Sequence, residues 1–112
     1  MKINEKSNKG ITILAIEGNI FGGHTVRPLG EHIAGLIRNG KYKVVLDLSA
    51  VHWLNISGMG LLIGAFTALR NHKGDLKLAD ASEQILAELQ AANLLDIFDY
   101  YPDVTAAKGG FA

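Results

Sequence analysis

The chain has 112 residues, 48% of them hydrophobic and 20% charged, with 11 basic residues balancing 11 acidic ones. That is enough for one domain with a single core that buries roughly two thirds of its unfolded surface without cross-links. The neutral balance gives no reason to expect nucleic acid as a partner, and the lack of cysteine excludes disulfides, thiolate nucleophiles and cysteine-based zinc sites.

The opening "MKINEKSNKG" is charged and polar, with no apolar signal core. A weak edge strand is predicted over Lys2 to Lys6. "ITILAIE", residues 11–17, is rich in β-branched and apolar types and reads as a strand ending at Gly18. "GNIFGGHTVRPLG" then brings glycines and Pro28, the signature of a loop leading into a helix. Leu29, Ile33, Leu36 and Ile37 fall on one helical face, and Asn39-Gly40 closes that helix.

"VVLDL", residues 44–48, is an almost continuous apolar run suited to a central strand covered on both faces. A short connection leads to a second helix with Met59, Leu62, Ile63, Phe66 and Leu69 on one stripe, ended by Lys73-Gly74. "DLKLAD" alternates and reads as a strand. Ser82, in N-cap position, opens a third helix carrying Ile85, Leu86 and Leu89. "DIFDYY" is predicted to be a last short strand and "AAKGGFA" a loose tail. Strands alternating with helices indicate one α/β domain with an open, partly parallel mixed sheet. No run approaches the roughly 18 apolar residues of a membrane-spanning helix, so the expectation is a cytoplasmic protein without direct membrane insertion.

Chemistry-bearing motifs are sparse. The P-loop lysine pattern is absent, and "GMGLLIG" is one residue too long for a dinucleotide fingerprint; glycines that let the helix pack tightly on the sheet explain it better. His24, His32, His52 and His72 fall in different elements without helical metal-site spacing, so no metal is expected. Ser57, His52 and Asp47 form a triad only on paper, because the G-x-S-x-G elbow is missing. Asn55-Ile56-Ser57 matches a glycosylation sequon, discounted here at a tight turn without a secretory signal. No cofactor is implied, and an enzyme is not expected.

Ser57 is the residue these exclusions leave. It stands where the apolar strand hands over to the second helix, and two readings share that geometry. As an N-cap, its hydroxyl would accept a free backbone N–H, contributing about 1 kcal/mol. As a modification site, a phosphate there would meet free N–H groups and the positive end of the helix dipole.

From residue 44 onward, "VVLDLSAVHWLNISGMGLLIGAFTALRNHKGDLKLADASEQILAELQAANLLDIFDYY" resembles the STAS domain, the family of bacterial anti-sigma factor antagonists. Asp47, Leu48, Ser49, Val51, Ser57, Gly58, Gly60 and Leu62 match its pattern in order, as do Gly74, Leu76, Leu78, Leu94 and the Ile97-Phe98 pair. The resemblance covers about residues 8–105 of a single domain spanning 1–112, with a loose tail over 106–112. It implies a mixed sheet of four or five strands with helices packed against it, and no enzymatic activity.

The family's phosphorylated serine falls on Ser57. An antagonist of this type binds an anti-sigma factor that is also a serine kinase; phosphorylation ejects it and a serine phosphatase resets it. On that basis Asp47 and Asn55 would shape the turn, Gly58 would give close backbone approach, and Phe21, His24 and Met59 would contact the partner. The alternative is a constitutive STAS subunit of a lipid-transport or stress-sensing complex, with Ser57 as a cap or interface residue. The chain departs from the pattern at Asn55, where the family has an acidic residue, at Ile56, where it has serine, and near Ile20-Phe21, where it is usually acidic.

Overall fold

A computed structural model describes residues 1–111 of the chain. Five strands form one sheet in the order β1-β2-β3-β4-β5: β1 Lys2–Asn8, β2 Ile11–Ile20, β3 Lys43–Leu54, β4 Asp75–Ala79 and β5 Tyr100–Tyr101. β1 and β2 are an antiparallel hairpin, and every later pairing is parallel. The helices are α1 Arg27–Arg38, α2 Ile56–Asn71, α3 Glu83–Ala91 and α4 Val104–Gly109, with a 3₁₀ turn at Gly23–Thr25 before α1.

Each new parallel strand adds on the same side of the last one, and such crossovers are right-handed. The three crossover helices α1, α2 and α3 therefore lie on one face. There Leu29, Ile33 and Leu36 of α1, Leu62 and Leu69 of α2, and Ile85 and Leu89 of α3 pack against Leu14, Ile16, Leu46, Leu48, Leu76 and Leu78 of the sheet. The opposite face has a smaller core of Val45, Ala79 and Ala107, flanked by Ile11, Ile13, Tyr101, Val104 and Phe111, and α4 is the helix that stands on it.

The expected order of strands and helices holds, and Ser82 caps α3 by accepting the Ile85 N–H at 3.2 Å. Four expectations need correction. β2 does not stop at Gly18; the ladder is irregular there and continues to Ile20. β3 runs on from Leu48 to Leu54 because extra residues are absorbed in two bulges: Ala15 pairs with Asp47 but Glu17 with Ala50, and Gly18 pairs with Val51 but Asn19 with Trp53. The interrupted alternation hid this half of the strand.

The "DIFDYY" strand shrinks to Tyr100–Tyr101, because Ile97 and Phe98 both donate backbone N–H groups to Leu94 O in a turn. The tail is not loose: Asp103 accepts the Ala106 N–H at 2.8 Å and starts α4, whose Ala107 is buried. Residue 112 of that tail lies outside the described residues. Among the described residues no helix is long and apolar enough to cross a membrane.

Candidate functional site

The carboxyl ends of the parallel strands are where helix N-termini and loops converge in such sheets. Here β2 ends at Ile20, β3 ends at Leu54, and α2 begins at Ile56 with one residue between. Asn55 joins them. It is extended at φ −112° and ψ 175°, and its Oδ1 accepts the Gly58 N–H at 2.8 Å, the N-cap bond of α2. The same oxygen accepts the Gly22 N–H at 3.3 Å, and the Asn55 N–H donates to Ile20 O at 3.3 Å.

Two glycines make this approach sterically feasible. A Cβ on Gly22 would lie 2.1 Å from the Ser57 Cβ, and one on Gly58 would lie 2.0 Å from Ile20 O. The loop after β2 thus lies directly against the first turn of α2. Thr25 reinforces that loop, its hydroxyl donating toward Phe21 O at 2.8 Å and Gly22 O at 3.1 Å.

Ser57 is not the cap of α2, a correction to one of the two readings of this residue. The cap is Asn55, whose amide oxygen sits where a Ser57 hydroxyl was expected; Ser57 occupies the first turn and is exposed. That turn holds no acidic residue. Helix N-termini leave backbone N–H groups unsatisfied and carry partial positive charge.

The other sequence-selected residues separate. Gly58 is buried at the strand end, and Phe21 is half-buried and His24 exposed on the adjoining loop. Asp47 lies lower in β3, away from this turn, and its Oδ1 accepts the Ser49 N–H at 3.0 Å, holding the first bulge rather than the strand-to-helix connection. Met59 is 7% exposed and packs mainly in the core, while the small part of it that stays uncovered lines a groove between α2 and α3. Ile63, expected on the buried stripe of α2, is instead exposed.

Two residues that were not selected from the sequence as partner contacts are far more exposed than Met59. Ile56 is 83% exposed and Trp53 is 52% exposed, on either side of Asn55. The signal was available: both are large apolar residues at a strand end and helix start, where polar types are the rule. Beside Ile56, this open groove of about 570 Å³ runs between α2 and α3, with Leu54, Asn55, Ile56, Ser57 and Met59 on one side and Glu88, Ala91 and Ala92 on the other. Among the described residues no group of three or more His, Asp or Glu side chains converges as metal ligands would.

The STAS domain profile matches residues 2–107. BtrV of Bordetella bronchiseptica, assigned as an anti-sigma factor antagonist, is 22% identical over 111 residues, covering 99% of this chain and 95% of that protein. The crystal structure of an anti-sigma factor antagonist from Mycobacterium paratuberculosis superposes with a TM-score of 0.83 at 20% identity, covering 97% of this chain and 92% of that one. The Bacillus cell fate determinant SpoIIAA, solved in its phosphorylated form, gives 0.71 at 16% identity, covering 96% and 97%. With its sheet order, its crossover helices and a family match over almost its whole length, this chain belongs to the STAS domain family.

Proposed function

We propose that this chain is an anti-sigma factor antagonist that binds a kinase-type anti-sigma factor and is released when that kinase phosphorylates Ser57. The observation that carries the reading is the division of labour at the head of α2: Asn55 makes the cap, and Ser57 stays exposed beside it. A phosphate on Ser57 would cost the helix no cap bond, and the free N–H groups nearby favour it.

The same phosphate is incompatible with an apolar interface. It adds about −1.5 to −2 charges next to Ile56, whose exposed surface a partner would otherwise cover. Phe21 and His24 border the site from the adjoining loop. BtrV and the Mycobacterium paratuberculosis structure support the antagonist reading through the roles their names carry, and the SpoIIAA structure is of a relative in a phosphorylated form. In this account the protein acts as a binding module, and a serine phosphatase restores the binding form.

The test is a paired capture from native lysate with tagged wild type and Ser57→Asp. The account expects wild type to retain a small ATPase of the kinase type that Ser57→Asp loses. Retention of the same assembly by both would contradict it and favour a fixed subunit of a larger complex.

A further inference from the structure

The basic and acidic residues balance in number, 11 against 11, but the fold does not mix them evenly. Because β2, β3 and β4 are parallel, the segments that precede them gather at one end of the sheet, opposite Ser57. Lys9 precedes β2, Arg38 and Lys41 precede β3, Lys43 opens it, and Arg70 and Lys73 precede β4. Some have ordinary explanations. Lys41 pairs with Glu5 at 3.8 Å and Arg70 with Asp75 at 3.7 Å, and cations at the ends of α1 and α2 suit their helix dipoles.

Lys6, Lys9, Lys43 and Lys108 are different, because they line one cleft. Between the β1–β2 hairpin and α4 lie two adjoining hollows of about 370 and 420 Å³. Lys6 lines the first, Lys9 and Lys43 line the second, and Lys108 and Asn8 line both. None of the four lysines is in an ion pair among the described residues. Among the described residues Asp47 is the carboxylate of the lining, and one of its oxygens already accepts the Ser49 N–H.

Register explains the convergence. Lys6 pairs with Ile13, and Ile13 pairs with Val45; side chains alternate along a strand, so Lys43 shares the face of Val45 and Lys6. α4 stands on that face and brings Lys108. A further lysine of the face, Lys77, is buried and neutralised by Asp75 and Asp99. Lys6 on the edge strand discourages strand-to-strand association, and Lys108 suits the end of its helix. Neither reason accounts for Lys9 and Lys43 in the same hollow, where like charges raise each other's energy and focus the field on incoming anions.

We infer that this cleft binds a small soluble anion carrying two or more phosphate groups. One phosphate would sit between Lys6 and Lys108 and the next between Lys108, Lys9 and Lys43, with the Asn8 amide between the hollows. A concave lining in two halves suits a compact diphosphate better than a flat bilayer or a nucleic-acid backbone.

The test is an NMR titration of the full chain with inorganic pyrophosphate at low ionic strength, in wild type, Lys6→Gln/Lys43→Gln and Lys2→Gln. Lys2 lies on the same strand and pairs with Glu17 at 3.7 Å, away from the cleft. The expected result is saturable shifts at residues 6–9, 43 and 108–111, about ten-fold weaker binding in the double variant, and no change in Lys2→Gln. Absence of saturable shifts in folded wild type would overturn the proposal. So would an equal loss in Lys2→Gln, or binding to phosphatidylglycerol vesicles that pyrophosphate does not displace.

Discussion

Asn55 Oδ1 reaches the backbone N–H of Gly22 at 3.3 Å while it holds that of Gly58 at 2.8 Å. One side-chain atom therefore caps α2 and fastens the loop after β2 to it. The face that carries Ser57, Ile56 and His24 is held together by that shared acceptor.

Asn55→Ala removes both bonds and is expected to cost about 2 kcal/mol of stability by chemical denaturation. Asn55→Asp keeps an acceptor in place and adds a negative charge at a helix N-terminus, so it is expected to stay within about 0.5 kcal/mol of wild type. A loss in Asn55→Asp as large as in Asn55→Ala would mean that the amide nitrogen, and not Oδ1, matters.

Gly22→Ala and Gly58→Ala test the close approach from its two sides. Both place a methyl group inside contact distance, at 2.1 Å from Ser57 Cβ and 2.0 Å from Ile20 O. Gly58→Ala meets backbone and is expected to cost about 3 kcal/mol or more. Gly22→Ala meets an exposed turn that can shift and should cost nearer 1 kcal/mol. Thermal unfolding of the two variants ranks them.

Trp53→Ala and Ile56→Ser alter exposed side chains, so stability should move by no more than about 0.5 kcal/mol. If they form the partner surface, each should weaken binding of the captured ATPase by about 2 kcal/mol, measured by calorimetry. Met59→Ala should show the reverse pattern, destabilising the fold by about 2 kcal/mol or more, because Met59 fills the core.

Lys77 supplies a pH dependence on the opposite face. Its Nζ is 2.8 Å from Asp99 and 3.2 Å from Asp75, and it lies 4.9 Å from the centre of the Phe111 ring. Burial alone would lower its pKa; the hydrogen bonds and charges of Asp99 and Asp75 outweigh that and raise it above the ordinary 10.5. The folded state thus holds this proton more tightly than the unfolded state. The resulting stability is complete below pH 10.5 and is lost as pH rises through the folded value. Denaturation at about pH 8 and about pH 11 should show a steeper alkaline loss in wild type than in Lys77→Met.

Much of the fold was legible because apolar periodicity is local. Leu29, Ile33 and Leu36 spell out the buried face of α1, and Ser82 announces α3. The second half of β3 was not legible, since its bulges depend on pairing with β2. α4 has a local signal as well, Asp103 three residues before Ala106, masked by the glycines that follow. At the site, the choice between Ser57 and Asn55 as cap turns on a two-residue shift in where α2 begins. The Gly22 contact joins residues 33 apart in sequence, and nothing local encodes it. The burial of Met59 and exposure of Ile56 follow from where the helix begins: a start at Ile56 points Met59 inward.

The measurement that bears most directly on the switch is the affinity of the captured ATPase for the chain before and after stoichiometric phosphorylation of Ser57, with Ser57→Ala carried alongside. The account predicts that phosphate weakens binding by about 100-fold, near 2.7 kcal/mol. Ser57→Ala should bind like unmodified wild type and match its stability, because the cap belongs to Asn55. Equal affinity of the phosphorylated and unmodified chains would contradict the account, leaving Ser57 a surface residue of a fixed interface.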